Sequence, residues 1–209
     1  MHVYYHGVDP VTAFVLAGGK SSRMGEDKAF LKLGGQTLLD RALELAKTVA
    51  SSPLIVGSEA KFAAFGTVVE DVYTERGPLG GIHAALTRTC TELNLMVAVD
   101  LPFLQPSFLN YLVLRSRETK AVVTVPMVEG TLQPLCAVYR RGFADVAERS
   151  LLAGRNKINP LFAEVETAII EPEEWKRNGF AEEMFRNLNT QQDWEEARRV
   201  AGRDVGRRL

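Results

Sequence analysis

Gly18 and Gly19 follow an apolar run, Val11 to Leu16, and are followed in turn by Lys20, Arg23 and Lys28. Glycines let a backbone come close to a ligand, and amides backed by ammonium and guanidinium groups face anionic oxygens, so the stretch reads as a loop for a polyphosphate. It is not a Walker A loop. Phe14 stands where a first glycine would have to precede Gly19-Lys20-Ser21, and G-x-G-x-x-G does not occur, which removes the main support for ATPase and nicotinamide-enzyme readings. Taken alone, a tight turn carrying solvated cations would account for the same residues.

Two later segments shift that balance. Val68-Val69-Glu70-Asp71 ends an apolar stretch in carboxylates and leads to Arg76-Gly77-Pro78-Leu79-Gly80-Gly81, a glycine-rich approach to a helix whose N-terminus favours an anion. Leu93 to Val99 ends in Asp100, with Leu101-Pro102 behind it. An aspartate in that place can simply cap a turn. Beside a polyphosphate loop it is also the hard oxygen ligand that Mg²⁺ takes together with substrate phosphates.

These three loops need strands that deliver them to one edge. Val11 to Leu16, Pro53 to Val56, Val68 to Glu70 and Leu93 to Val99 read as buried strands, and helical spacing is read over Leu31 to Ser51, Lys61 to Phe65 and Leu79 to Thr89. Repeated β-α-β order with apolar strands predicts a mainly parallel sheet with helices on both faces, a three-layer α/β/α arrangement. In such sheets ligands sit outside the carboxyl ends of the strands. Further along, Ala121 to Pro126 and Gln133 to Tyr139 read as strands joined around Glu129-Gly130, which makes the sheet mixed. Phe143 to Leu152, Glu173 to Phe185 and Asp193 to Val200 read as helical, the last capped by Asp193, and Thr167 to Ile170 as a short strand. Without repeats or linker-like stretches, residues 1–209 are expected to form one domain, with 1–10 and 202–209 flexible.

Composition narrows the partners. The chain has 209 residues, 25 Lys and Arg against 26 Asp and Glu, and a net charge of -1, so it lacks the basic excess that binding to nucleic acid or an anionic membrane would need. Hydrophobic residues at 46% and charged residues at 24% exclude global disorder. Cys90 and Cys136 form no C-x-x-C pair, and the N-terminus has no secretory pattern, so a cytoplasmic protein is expected.

The residues Leu16-Ala17-Gly18-Gly19, Arg23-Met24-Gly25, Asp27-Lys28, Gly77-Pro78-Leu79-Gly80-Gly81-Ile82, Asp100-Leu101-Pro102-Phe103 and Asn187-Leu188-Asn189-Thr190 together resemble the molybdenum cofactor guanylyltransferases. The resemblance implies a Rossmann-like fold of the nucleotide-diphosphosugar transferase type. It implies transfer of GMP from GTP to molybdenum-molybdopterin, with Mg²⁺ as cofactor and pyrophosphate as the second product. By position, Leu16, Ala17 and Gly18 would border the guanine and ribose, Lys28 the phosphates, and Gly19 and Asp71 the nucleotide, while Arg23 would join Lys28 in stabilising the charge on pyrophosphate. Asp100 would hold the metal, with Asn187 and Asn189 near the metal or second substrate. Ser22 stands where many relatives have a second arginine, and Gly57-Ser58 where relatives often show an asparagine.

Transfer onto a phosphate needs cations more than a base, because a monoester is already largely ionised at neutral pH. Further partners implied are other cofactor-biosynthesis proteins and recipient molybdoenzymes, met transiently. A cytidylyltransferase acting on the same pterin, a sugar-1-phosphate nucleotidyltransferase and a GTP-binding adaptor without turnover are the alternatives; the second glycine of Ala17-Gly18-Gly19 favours guanine over cytosine. His83 reads as a packed histidine.

Overall fold

The computed structural model describes residues 10–18 and 27–205. The first elements in chain order are β1 (Val11–Leu16), the short strands β2 (Lys32–Leu33) and β3 (Gln36–Thr37), α1 (Leu38–Lys47), β4 (Leu54–Val56), α2 (Glu59–Phe62), β5 (Val68–Val69), α3 (Pro78–Arg88) and β6 (Leu93–Ala98). There follow α4 (Pro106–Arg117), β7 (Val123–Val128), β8 (Thr131–Leu132), β9 (Cys136–Arg140), α5 (Phe143–Leu152), β10 (Thr167–Ile170), α6 (Pro172–Arg177) and α7 (Gln191–Val205).

The main sheet runs β5-β4-β1-β6-β9-β7-β10, with β8 paired to β7. β1 lies parallel between β4 and β6, and β10 lies parallel to β7. β9 runs against both of its neighbours, β6 and β7. The expectation of a mixed, mainly parallel sheet is met. Alternate residues of β1 explain its unbroken apolar sequence: Ala13 and Val15 join the core with Leu39, Ala42 and Leu109 of α1 and α4, while Phe14 and Leu16 join Ile82, Leu86 and Val146 of α3 and α5. All six residues of β6 are buried. Because β9 is reversed, the chain leaves it at the far edge of the sheet, where Arg140 pairs with Leu93, and α5 returns from there against α3.

Several boundaries differ from the periodicity. The helix read over Leu31 to Ser51 begins only at Leu38, because Gly34 and Gly35 take positive φ of 61° and 89° and turn β2 into β3. Thr37 then caps it, its Oγ1 accepting from the Asp40 amide at 3.0 Å. Glu129 and Gly130, both at positive φ, join β7 to β8 rather than to β9. Pro106–Arg117 is a helix that the periodicity leaves unassigned. α7 is capped by Thr190, with Asp193 as the reciprocal partner of that cap, and it continues to Val205, into the stretch expected to fray. Among the described residues no helix is long and apolar enough to cross a membrane.

Candidate active site

Chain direction places the site. From β1 the chain moves outward through β4 to β5, then crosses to β6 on the other side of β1, so the carboxyl ends of β1 and β6 flank a switch in strand order where a crevice must open. A cavity of about 770 Å³ lies there, over the ends of β1, β4, β5 and β6. Its size is in the range of small-molecule sites. Leu16, Ala17, Gly18, Lys28, Asp71 and Asp100, expected from the sequence, all line it. Gly19 and Arg23 lie outside the described residues.

The amide of Gly18 has a different job from the one its sequence suggests. It donates to the carbonyl oxygen of Val56 at 3.0 Å, and so does the amide of Ala17, so neither faces a phosphate. Gly18 serves the cavity by being small: a Cβ there would reach only ordinary contacts of 3.7 Å with Gly57 and Val56. Gly57 is tighter, because a Cβ would fall 2.8 Å from the Phe62 ring.

Asp100 sits at the end of β6, and its Oδ2 lies 3.8 Å from Lys28 Nζ, with side-chain exposures of 22% and 19%. Its Oδ1 is buried without a hydrogen-bond partner among the described residues. Burial raises the Asp100 carboxyl above its ordinary pKa, and the Lys28 ammonium pulls the other way. Lys28 also donates to Asn189 Oδ1 at 2.7 Å. The loop carrying Asn187 and Asn189 is tied to the strand end, since the Leu188 amide donates to the Asp100 carbonyl oxygen at 3.0 Å. Neither asparagine lines the cavity, but the structure brings Asn189 to Lys28 and leaves Asn187 half-buried beside it.

On the opposite wall, Asp71 packs against the first turn of α3. Cβ atoms at Gly80 and Gly81 would fall 3.3 and 3.4 Å from its carboxylate oxygens, so only small residues leave the aspartate this place. Partial burial raises its pKa. Gly77 caps α3 at φ 65°, a conformation that costs other residues strain. His83, 3% exposed, packs edge-on to Tyr73 away from the cavity, in keeping with its reading as a packed histidine.

Sequence reasoning missed Lys61. It lines the cavity from α2 and holds Asp27 Oδ2 at 2.7 Å, while Asp27 Oδ1 caps the turn that carries Lys28. The signal was present in the strand-then-helix order at β4, which sends the start of α2 to the same edge. Glu70 Oε1, similarly, accepts the first amide of α2 at 2.7 Å. The described lining thus holds two lysines against Asp27, Glu70, Asp71, Glu75 and Asp100.

A cavity at the switch point, a half-buried acid whose Oδ1 has no hydrogen-bond partner among the described residues, and a lysine beside it suit a nucleotide and its phosphates. Residues 13–168 match the MobA-like NTP transferase domain family. The chain belongs to that family. A molybdenum cofactor guanylyltransferase of Desulfosudis oleivorans is 33% identical to it over 193 residues, which are 91% of this chain and 95% of that protein. A probable molybdenum cofactor guanylyltransferase of Carboxydothermus hydrogenoformans is 33% identical over 191 residues, 91% and 96% of the two chains. The crystal structure of molybdopterin-guanine dinucleotide biosynthesis protein A from Archaeoglobus fulgidus superimposes with a TM-score of 0.81 at 25% identity, covering 92% of this chain and 99% of that one. As a MobA-like transferase, this chain is a nucleotidyltransferase enzyme with the nucleotide-diphosphosugar transferase type of α/β fold.

Proposed function

We propose that this nucleotidyltransferase moves GMP from GTP onto the terminal phosphate of molybdenum-molybdopterin, giving molybdopterin guanine dinucleotide and pyrophosphate. The observation that carries the reading is the pairing of Lys28 with Asp100 at the mouth of the switch-point cavity. An acceptor phosphate oxygen forms a bond to the α-phosphorus of GTP while the bond from that phosphorus to the bridging oxygen breaks, and pyrophosphate leaves with the electron pair. A phosphate monoester has its second pKa at about 6, so the chain need supply no strong base.

The requirement is to hold two anions together, and the described lining carries more carboxylates than cations. Asp100 Oδ1, buried and without a partner among the described residues, suits a hard divalent ion that takes one carboxylate and substrate phosphates. Asp100 would hold Mg²⁺, which supplies neutralisation of phosphate charge and polarisation of the phosphorus. Lys28, with Arg23 five residues before it in the sequence, stabilises the charge that grows on the departing pyrophosphate. Leu16, Ala17 and Gly18 form the floor under the nucleoside, and Asp71 contacts the nucleotide from the α3 side. The setting we assign is cytosolic, consistent with an exposed Cys90 and a buried Cys136 that form no disulfide.

Thermal shifts with GTP, CTP, ATP and UTP, each with Mg²⁺, test the base. A ligand at 100 times its Kd stabilises by about 2.7 kcal/mol, and GTP is expected to give the largest shift. A larger shift with CTP would replace this reading with a cytidylyltransferase. Pyrophosphate release dependent on molybdopterin tests turnover, and binding without release would leave an adaptor.

A further inference from the structure

Asp193 lies outside the cavity, in the first turn of α7, yet its contacts lead into the site. Its Oδ2 accepts two backbone amides, from Asn189 at 3.0 Å and Thr190 at 2.8 Å. Its own amide donates to Thr190 Oγ1 at 3.1 Å. The Thr190 contact and these amides hold its carboxyl below the usual aspartate range, so it is a charged acceptor at neutral pH. One residue before the two amides, the Leu188 amide holds the Asp100 carbonyl oxygen. The backbone on both sides of Leu188 is therefore pinned, at one end to β6 and at the other to α7.

Between those pins stands Asn189, whose Oδ1 takes the Lys28 ammonium at 2.7 Å while Asp100 Oδ2 stays at 3.8 Å. An ammonium beside a largely buried carboxylate is drawn toward a closer, direct ion pair, because attraction strengthens as the surroundings lose water. A neutral amide oxygen at hydrogen-bond distance resists that collapse only if its own position is fixed. Asn189 is exposed, so side-chain packing does not fix it. Its backbone amide on Asp193 does.

We infer that Asp193 is a positioning residue for the transfer reaction: through the Asn189 backbone it holds Lys28 off Asp100 and keeps the aspartate oxygens open to a divalent cation. This rests on the proposed nucleotidyl transfer with a metal at Asp100. Asp193 touches neither substrate nor metal, and its effect passes entirely through Asn189 and Lys28.

Mn²⁺ serves as the probe, its affinity for the nucleotide-free full chain measured by electron paramagnetic resonance, alongside kcat and KM for GTP and the melting temperature. Outer-shell partners of a metal site are worth about 10–100-fold in metal affinity or activity, and by the lower end of that range Asp193→Ala is expected to weaken Mn²⁺ binding about tenfold and to lower kcat more than it raises KM. Asp193→Asn keeps an oxygen facing the two amides and recovers most of the affinity. Ala197→Gly, inside α7 and remote from Asn189, weakens the helix and lowers the melting temperature but leaves Mn²⁺ affinity unchanged. Asn189→Leu removes the side-chain oxygen that accepts from Lys28 without disturbing the cap and repeats the loss.

Unchanged Mn²⁺ affinity in Asn189→Leu overturns the inference, whatever Asp193→Ala does. So does an Asp193→Ala chain that behaves like Ala197→Gly, which would make Asp193 a helix cap and nothing more. A wild-type chain that neither binds Mn²⁺ nor releases pyrophosphate from GTP would instead overturn the parent reading, and this one with it.

Discussion

Lys28 and Asn189, 161 positions apart in the chain, share a hydrogen bond of 2.7 Å. It joins the turn after the first strand to the loop before the last helix, and Asp100 Oδ2 lies within ion-pair distance of the same lysine. Charge, acceptor and strand end meet at one corner of the cavity.

Lys28→Ala is therefore expected to lose transfer activity while keeping its fold. A charge-assisted contact is worth about 1.5–3 kcal/mol, which corresponds to a fall of roughly tenfold to a hundredfold in kcat/KM. Pyrophosphate release and a melting curve on the same preparation check it. A collapsed melting temperature with normal turnover of the folded fraction would make Lys28 structural.

Asp100→Asn separates function from stability in opposite directions. Turnover falls steeply, since the amide lacks the charge that attracts a cation. Stability holds or rises at neutral pH. The sign follows from the burial that raises the folded-state pKa above the unfolded value: between the two the native chain binds more protons, so the wild type loses stability as pH climbs from about 3.8 through the raised value. The variant escapes that loss. Its advantage in melting temperature is expected to be largest near pH 7 and to shrink toward pH 4, and an advantage that grows on acidification would contradict the assignment.

Two glycines in the floor of the cavity should respond differently to alanine. At Gly57 the new methyl lies 2.8 Å from the Phe62 ring, which is 1% exposed and has little room to move. Overpacking of this kind costs about 1–3 kcal/mol, read as a lower denaturation midpoint. At Gly18 the nearest atoms are at 3.7 Å, so Gly18→Ala keeps the wild-type midpoint and weakens GTP binding instead. Equal midpoints for the two variants would show that Phe62 yields.

Much of this was legible in the residues. β1, β6 and α5 stand where apolar runs and helical spacing placed them, because the two strands and one face of the helix are buried and the pattern records the faces they meet; β10 is also where its apolar run placed it, though only Ile170 of it is buried. Asp71 and Asp100 were readable as strand-end acids, and the polyphosphate loop beside them in the strand order weighed for a ligand role over a turn cap. The late start of α1 depended on Gly34 and Gly35, whose effect is conformational and leaves the apolar spacing of the helix undisturbed. Lys28 meeting Asn189, and Lys61 meeting Asp27, were not legible as contacts, because pairing across that much chain depends on how the sheet stacks its loops.

The reversed strand β9 has an electrical consequence for the rim of the cavity. α3 leads into a parallel strand and so begins at the site edge with the positive end of its dipole; α5 follows the reversed strand and so ends toward that edge with the negative end of its dipole, where the amides of Ala153, Gly154 and Arg155 take up the carbonyls of Arg149, Leu151 and Ser150. The two helices pack side by side. Far from the protein their fields cancel, but across the rim they leave a gradient that falls from the Asp71 wall toward the Leu135 side. At α3 the positive end offsets part of the negative charge that Asp71 and Glu75 place on that wall, and salt in the medium would weaken both.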